Sequence, residues 1–331
     1  MTTNAARIAI NGFGRIGRLF FRQVFGVKNL DIVAINDLGE KENLVYLLGH
    51  DSVYGRYEAN LKKVSFLREK DPRKLPWKNL KIDVVVESSG VFEAYEKAKI
   101  HLEAGAKRVV ITAPAKDADG SLGQTVLMGV NEGELKKTFL TSNGSCTTNA
   151  ASPVIQIMEE TIGIEKAILN TVHGMTATQN LVDGPTKGAD LRRGRAAGQN
   201  IVPSTTGAAI AVTRAIKSLA GKFDGLALRV PVIAGSIADI TFIAKRKTSV
   251  KEINDIFRAA AKEKKWQGIL KITEEQLVSS DIIGEPYGAI VDLNFTKVVG
   301  GDLIKVLTWY DNEWGYAATL VKHVLGVANF I

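Results

Sequence analysis

The sequence predicts an α/β fold in which a parallel sheet is followed by a mainly antiparallel sheet. In the first third of the 331-residue chain, short runs rich in Val and Ile alternate with segments of helical spacing. This order is typical of a parallel sheet with helical crossovers. After about residue 148, longer segments alternate apolar and polar residues, as antiparallel strands with one solvated face do. We therefore expect two domains of ordinary size.

Each predicted element has its own local signal. The strands of the first sheet are predicted at RIAI (7–10), LDIVAIND (30–37), KIDVVVESSG (81–90) and RVVITAPA (108–115). Helical spacing predicts helices over 16–26 and 92–106, and Gly105 stands where a glycine commonly ends a helix. Antiparallel strands are predicted within 166–179, 226–247 and 288–312. The last stretch, YAATLVKHVLGVANF, is typical of a helix with an apolar face.

Composition limits the classes of function. The formal net charge of +8 makes anionic partners plausible, but the basic stretches LKKVSFLREKDPRK and FIAKRKTSVK do not interleave aromatics with arginines. Nucleic acid is therefore disfavoured as the main partner. No apolar run approaches the roughly 20 residues that span a bilayer, and no signal peptide is recognisable, so we predict a cytoplasmic protein without a membrane partner. One cysteine allows no intrachain disulfide and no cysteine-rich metal site, and no metal is predicted.

The segment AINGFGRIGRLF predicts a dinucleotide site. It places Gly12, Gly14 and Gly17 in the spacing G-x-G-x-x-G, directly after a strand and at the start of a helix. The first glycine permits the tight turn, the second lets the backbone approach a diphosphate, and the third lets helix and strand pack closely. Asp37 ends the next strand, where a carboxylate can bind the adenosine ribose and repel a 2′-phosphate. The sequence therefore predicts a Rossmann-type domain that binds NAD rather than NADP.

Cys146 is the candidate nucleophile. It follows the predicted strand KTFLTSN and precedes TTNAASPVIQIMEE, which has helical spacing. A thiol at a helix N-terminus is favoured as thiolate by the helix dipole and the free N–H groups. His173, at the end of the strand AILNTV, is the candidate base for this thiol. The alternative is that the lone cysteine is a buried, inert hydrophobe and that His173 is a satisfied polar residue.

Seven motifs occur in the order and spacing of the glyceraldehyde-3-phosphate dehydrogenase family, the phosphorylating enzymes of glycolysis. The sequence resembles that family over essentially its whole length. The motifs are NGFGRIGR, SCTTN, TATQ, LRRGRAA, STTGAA, LRVPV and WYDNEWGY. The resemblance implies a homotetramer in which Cys146 is the nucleophile and His173 activates it. It implies an NAD-binding domain over 1–147, a catalytic α+β domain over 148–314, and a terminal helix over 315–331 that packs back on the first domain.

The resemblance also implies the binding residues. Two anion sites, for the phosphate of the aldehyde and for inorganic phosphate, would be formed by Ser145, Thr147, Thr176, Arg193, Thr206, Gly207 and Arg229. Besides the three glycines, NAD would contact Arg15, Ile16, Asp37, Lys70 and Thr112, with Asn312 at the nicotinamide carboxamide. Lys70 replaces the arginine usual in the family, so its contact is expected through the backbone.

Two alternatives remain at the level of the sequence. An erythrose-4-phosphate dehydrogenase would hydrolyse its acyl-enzyme instead of passing it to phosphate, and a pocket discriminates weakly against one extra hydroxymethyl group. A nucleic-acid or protein-binding module could retain the fold without the activity. Binding alone needs no thiol, which favours the enzyme.

Overall fold

The computed structural model describes residues 5–186 and 189–331, and it divides the chain into two compact units. The first unit comprises the residues up to Ser145 together with Ala317–Ile331, and the second comprises Cys146–Tyr316. The sequence places these boundaries after residues 147 and 314, so each differs from the structural boundary by two residues.

The first unit is built on a parallel sheet, with a small separate hairpin. In the described residues its strands are β1 Ala6–Asn11, β2 Leu30–Asn36, β3 His50–Asp51, β4 Gly55–Arg56, β5 Ser65–Leu67, β6 Val84–Glu87, β7 Arg108–Ile111, β8 Gln124–Thr125 and β9 Leu140–Ser142. The sheet order is β5-β2-β1-β6-β7-β9-β8, with parallel pairing throughout, while β3 and β4 form the antiparallel hairpin. Strands β6 and β7 are buried along their whole length, as predicted from their continuous apolar character.

The helices of this unit include one departure from the predicted pattern. They are α1 Arg15–Val24, α2 Lys41–Gly49, α3 Tyr95–Ala98 and α4 Ile100–Glu103. The sequence predicts one helix over 92–106, but the structure has two short ones that meet at Lys99. The Leu102 N–H donates to the Lys99 carbonyl three residues earlier, at 2.9 Å, which tightens the chain at the junction. Gly105 follows α4 with a φ of +105°, as expected for a glycine that ends a helix.

The second unit carries a mixed, mostly antiparallel sheet. Its described strands are β10 Ile164–Gly174, β11 Val202–Thr205, β12 Phe223–Val230, β13 Ser236–Ala244, β14 Leu270–Thr273, β15 Ala289–Val299 and β16 Leu303–Tyr310, and they pair in the order β11-β12-β10-β13-β16-β15-β14. Only the β10–β12 and β14–β15 pairs among these are parallel. Burial alternates residue by residue along β13, which is the one-sided pattern predicted for this sheet. The predicted fold class is confirmed.

Four further α-helices lie in the described residues after β9. They are α5 Cys146–Thr161, α6 Ala208–Ala215, α7 Val250–Ala260 and α8 Trp314–Ala328. In α5 the predicted helix begins at the cysteine itself. The apolar face of α8, with Leu320, Val324 and Val327, is buried in the same core cluster as β1 and α1. No helix in the part of the chain that the structure describes is long and apolar enough to cross a membrane.

Candidate active site

The glycine turn between β1 and α1 has the geometry that its sequence predicts. Gly12 has a φ of +94°, and a Cβ there would lie 2.4 Å from the Ser89 backbone nitrogen. A Cβ on Gly17 would lie 2.2 Å from the Gly12 carbonyl oxygen, so helix and strand pack too closely for any side chain. Gly14 differs, because a Cβ there would meet no described atom within 4 Å. Gly14 is the residue immediately before α1, and the first turn of a helix favours an anion.

Asp37 is tied to this turn. Its carboxylate accepts hydrogen bonds from the Phe13 N–H at 2.6 Å and from the Gly39 N–H at 2.8 Å. A carboxylate offers about four acceptor positions, so two remain for ribose hydroxyls. Arg15, the first residue of α1, forms an ion pair with the largely buried Asp51 at 2.5 Å. The two remaining acceptor positions of Asp37 fit the adenosine ribose of NAD.

The other predicted cofactor residues of the first unit lie at strand ends and at the helix start. Ile16 packs partly buried against the core. The Thr112 N–H donates to the Glu87 carbonyl at 3.0 Å, directly after β7. Lys70 is exposed, and the backbone of the preceding Glu69 both donates to and accepts from the Asn36 side chain. This bonding fixes the backbone beside Lys70, consistent with the expected backbone contact.

The predicted thiol and histidine lie within hydrogen-bonding distance. Cys146 begins α5, and its Sγ lies 3.3 Å from His173 Nε2 near the end of β10. His173 Nδ1 lies 2.6 Å from the Gly174 carbonyl oxygen. Arg229 Nη1, which can only donate, also lies 2.9 Å from Nδ1. We assign the proton of the neutral imidazole to Nδ1, because the contact with the carbonyl, which can only accept, is the shorter of the two. Nε2 is then the acceptor that faces the thiol.

Burial controls the protonation of this pair. It raises the pKa of the Cys146 thiol by more than the Arg229 charge and the Thr147 donors lower it. Burial and the Arg229 charge together lower the pKa of His173 to about 3. At neutral pH the site therefore holds a neutral thiol beside a neutral imidazole. This differs from the thiolate predicted from the helix N-terminus, because the sequence does not reveal the burial.

Arg229 brings a positive charge to the same place. Its Nη1 lies 2.9 Å from His173 Nδ1 and donates to the Gly174 carbonyl at 3.2 Å and to Thr176 Oγ1 at 3.5 Å. Burial lowers the pKa of Arg229, and the charge of Arg193 lowers it further. Two guanidinium groups that act on each other in this way favour an anion between them.

Four of the remaining predicted anion ligands stand at the starts of two helices. Ser145 and Thr147 flank the start of α5. Thr206 and Gly207 stand at the start of α6, where the Ala208 N–H donates to Thr206 Oγ1 at 3.2 Å. A hydrogen bond joins Thr176 to Arg229, whereas the contact of Thr206 is with a residue of its own turn. Arg193 is held loosely by Asp190, at 3.9 Å.

Asn312 is buried within the second unit and is held from one side. Its Oδ1 accepts from Ser236 Oγ at 2.8 Å, and the same Ser236 Oγ accepts from the Gly174 N–H at 3.0 Å. A Cβ on Gly174 would lie 3.0 Å from the Val232 carbonyl and 3.3 Å from Asn312 Oδ1. Because Oδ1 is occupied, the amide is oriented with its NH₂ group away from Ser236.

Comparison with known proteins decides the family. Residues 6–95 match the model of the glyceraldehyde 3-phosphate dehydrogenase NAD-binding domain, and residues 145–312 match the C-terminal domain of the same family. The chain is 43% identical over 335 residues to glyceraldehyde-3-phosphate dehydrogenase 2 of Bacillus subtilis, covering 97% of this chain and 96% of the relative. The enzymes of Clostridium acetobutylicum and Mycobacterium avium are 44% and 45% identical, each over 96% of this chain and 97% of the relative.

The chain belongs to the glyceraldehyde-3-phosphate dehydrogenase family. The resemblance seen in the motifs is thereby confirmed. The predictions that the protein is an oxidoreductase and that its cofactor is NAD are confirmed as well.

The glyceraldehyde-3-phosphate dehydrogenase site contains one residue that the sequence analysis missed. The Tyr310 hydroxyl lies 2.9 Å from Thr147 Oγ1 and 2.7 Å from Thr171 Oγ1, and its ring meets the His173 ring edge-on at 6.0 Å between centroids. Burial raises the pKa of Tyr310 well above its ordinary value, so the phenol stays protonated. The motif WYDNEWGY contains this residue, but only the structure shows that its hydroxyl orients Thr147 beside the nucleophile.

Proposed function

We propose that this protein is an NAD-dependent, phosphorylating glyceraldehyde-3-phosphate dehydrogenase. It converts D-glyceraldehyde 3-phosphate and inorganic phosphate to 1,3-bisphosphoglycerate, the reaction shared by glycolysis and gluconeogenesis. The observation that carries this proposal is the 3.3 Å contact between Cys146 Sγ and His173 Nε2 at the start of α5.

Cys146 is the nucleophile and His173 its base. As Sγ bonds to the aldehyde carbon, the S–H proton passes to Nε2 and then to the former carbonyl oxygen, which gives a hemithioacetal. His173 returns to its neutral form and can take the hydroxyl proton in the oxidation. NAD, when bound, supplies the hydride acceptor that allows the hemithioacetal to become a thioester.

The second half of the reaction uses the same two residues. A phosphate oxygen bonds to the thioester carbon, the C–S bond breaks, and the sulfur leaves as a thiolate that His173 can reprotonate. The backbone N–H groups of Cys146 and Thr147 lower the pKa of the thiol, and the same groups would stabilise an oxyanion in both additions.

The anion sites orient both phosphates. Arg229 with Thr176, and Arg193 nearby, bind one phosphate group, and Thr147 with Ser145 and the start of α6 at Thr206 and Gly207 bind the other. Two observations support this assignment. The charge of Arg193 lowers the pKa of Arg229, and Arg229 donates a hydrogen bond to Thr176. Forked guanidinium groups suit this task because they donate two parallel hydrogen bonds to phosphate oxygens.

The first unit is the NAD-binding domain and the second is the catalytic domain. The open space over Gly14 and the two free acceptor positions of Asp37 fit NAD, and Gly12, Gly17, Arg15, Ile16, Lys70 and Thr112 complete the contacts within that unit. Asn312 binds the nicotinamide carboxamide through the NH₂ group that Ser236 leaves free.

The protein acts in the cytoplasm as a homotetramer. Large apolar side chains are exposed in one segment of the second unit, with Leu181 83%, Val182 72%, Leu191 76% and Ile201 69% accessible. Apolar side chains exposed to this extent favour burial against other copies of the chain. Sedimentation of the purified protein tests the tetramer, and a monomer would refute it.

Formation of NADH from NAD, D-glyceraldehyde 3-phosphate and inorganic phosphate tests the activity. We expect turnover to require phosphate and Cys146→Ser to be inactive. Phosphate-independent oxidation of erythrose 4-phosphate at higher efficiency would instead identify an erythrose-4-phosphate dehydrogenase.

A further inference from the structure

A closed hydrogen-bond network lies in the core of the first unit, beneath the glycine turn. Its centre is Glu87, the last residue of β6. This residue is 3% exposed, and its carboxylate accepts hydrogen bonds from four donors. The donors are Asn11 Nδ2 at 2.5 Å, His101 Nε2 at 2.9 Å, the Ser89 N–H at 2.8 Å and Ser89 Oγ at 2.5 Å. None of these bonds is part of the reaction proposed above.

The network fixes one tautomer of His101. Trp77 Nε1–H donates to His101 Nδ1 at 3.1 Å, and an indole nitrogen can only donate. Nδ1 is therefore unprotonated, and the ring proton sits on Nε2, where it is donated to Glu87. His101 and Trp77 are both fully buried, so water does not compete for these bonds.

The same bonds reach three backbone segments of the cofactor site. Asn11 immediately precedes Gly12 in the glycine turn, and its Oδ1 accepts from Asn36 Nδ2 at 2.8 Å. Asn36 precedes Asp37, and its side chain also holds the Glu69 backbone beside Lys70. Ser89 supplies the backbone that approaches Gly12 so closely that no Cβ fits between them. One carboxylate thus connects the ends of β1, β2 and β6.

We propose that His101 and Glu87 are positioning residues that set the affinity for NAD. His101 holds the Glu87 carboxylate, and this carboxylate holds Asn11 and Ser89 on either side of the glycine turn. Without the His101 donor, the carboxylate would lose one of its fixed directions, and the turn would be held less tightly in the conformation that binds the diphosphate. This inference rests on the NAD site of the proposed function, but it assigns no chemical step to either residue.

The test compares two substitutions of His101 in the full-length protein. His101→Leu removes both ring nitrogens, whereas His101→Gln keeps a side-chain N–H near the position of Nε2. For His101→Leu we expect the Kd for NAD to rise about three- to thirtyfold, the range for residues that act through a packed network, with kcat at saturating NAD nearly unchanged. His101→Gln should restore most of the affinity.

His323→Leu is the matched control. His323 is also fully buried in the first unit and also bonds through both nitrogens, to Thr141 Oγ1 at 2.8 Å and to Asn143 Oδ1 at 3.1 Å, outside the Glu87 network. The His323→Leu substitution should lower thermal stability without a comparable rise in the Kd for NAD. If both leucine variants weaken NAD equally, or if His101→Gln binds no better than His101→Leu, the positioning role is refuted.

Trp77→Phe keeps the inference testable if His101→Leu does not fold. It retains an aromatic ring in the core and removes only the donor that fixes the tautomer, so we expect a smaller rise in the same Kd. An unchanged Kd in Trp77→Phe and in every folded His101 variant overturns the inference. An unmodified protein that fails to bind NAD would refute the proposed function instead.

Discussion

At the scale of the residue, Cys146 is subject to two opposing effects. The start of α5 and the Arg229 charge favour the thiolate, whereas burial favours the thiol and is the larger effect. The sequence could predict the helix start and the histidine partner, since both follow from local patterns. It could not predict the burial of the thiol. That burial depends on the packing of β10 and β16, with Tyr310, against the start of α5.

Arg229→Leu should move the reactivity of the thiol to higher pH. The Arg229 charge lowers the pKa of Cys146, so its removal leaves burial less opposed. Iodoacetamide inactivation measured against pH should shift upward, and the Michaelis constant for a phosphorylated substrate should rise about 10- to 100-fold through loss of a charge-assisted bond. Arg246→Leu, at an exposed ion pair with Glu252, is the control. An unshifted alkylation profile would contradict the placement of Arg229.

His173→Asn should slow the oxidation of the aldehyde by roughly 10² to 10⁴, the range for a positioned acid–base group. The substitution removes the acceptor that takes the S–H proton. Stopped-flow measurement of NADH formation in the first turnover checks this. The Kd for NAD should stay within about twofold of that of the unmodified protein, and a comparable loss of NAD binding would mean that the variant is damaged elsewhere.

Asp37→Ala should reduce the preference for NAD over NADP. The carboxylate repels a 2′-phosphate and accepts from ribose hydroxyls, so its loss should mainly weaken NAD. The ratio of kcat/KM for the two cofactors measures the effect. Equal efficiency with NAD and NADP in the unmodified protein would show that Asp37 does not select the cofactor.

At the scale of the element, the turn between β1 and α1 contains one glycine that NAD binding requires and another that stability also requires. Gly14→Ala should fold normally, because its Cβ meets no described atom within 4 Å, but it should bind NAD weakly since the methyl group enters the space for the diphosphate. Gly12→Ala should lose stability as well, because its φ is +94° and its Cβ would lie 2.4 Å from the Ser89 nitrogen. Thermal melting and NAD titration of both variants distinguish the two roles. Equal stability of the two would contradict this geometry.

The sequence predicted elements best where one local signal was enough. The glycine spacing placed the start of α1, and continuous apolar runs identified β6 and β7. The predicted helix over 92–106 was wrong in its continuity, because the break at Lys99 depends on hydrogen bonds that composition does not reveal. The network around Glu87 was invisible for a similar reason. Its members are up to 90 positions apart and meet only when the strands pair.

At the scale of the whole molecule, two buried histidines should make the folded protein sensitive to acid. Burial lowers the pKa of His173 and of His323 to about 3 each, against an ordinary value of 6.5. Between these values the unfolded chain binds protons that the folded chain does not. Stability should therefore be complete above pH 6.5 and fall as pH decreases toward 3, by about 1.4 kcal/mol per pH unit for each histidine.

Urea unfolding at several pH values between 7 and 4.5 measures this slope. His323→Gln should make it shallower by about one histidine's share, that is about 1.4 kcal/mol per pH unit. His50→Gln, at an exposed position, is the matched control. An identical slope in His323→Gln and the unmodified protein would show that His323 does not resist protonation in the folded state.

The docking of α8 has a consequence for the order in which the protein can fold during synthesis. Leu320, Val324 and Val327 belong to the core that surrounds β1 and α1, and Arg108 donates to the Phe330 carbonyl at 3.2 Å. A ribosome makes these partners hundreds of residues before it makes the helix. The nascent first unit must therefore wait with part of its core uncovered, while the second unit is already complete at Tyr316. A chain truncated after Tyr316 should accordingly bind chaperones through the first unit, although its second unit is complete.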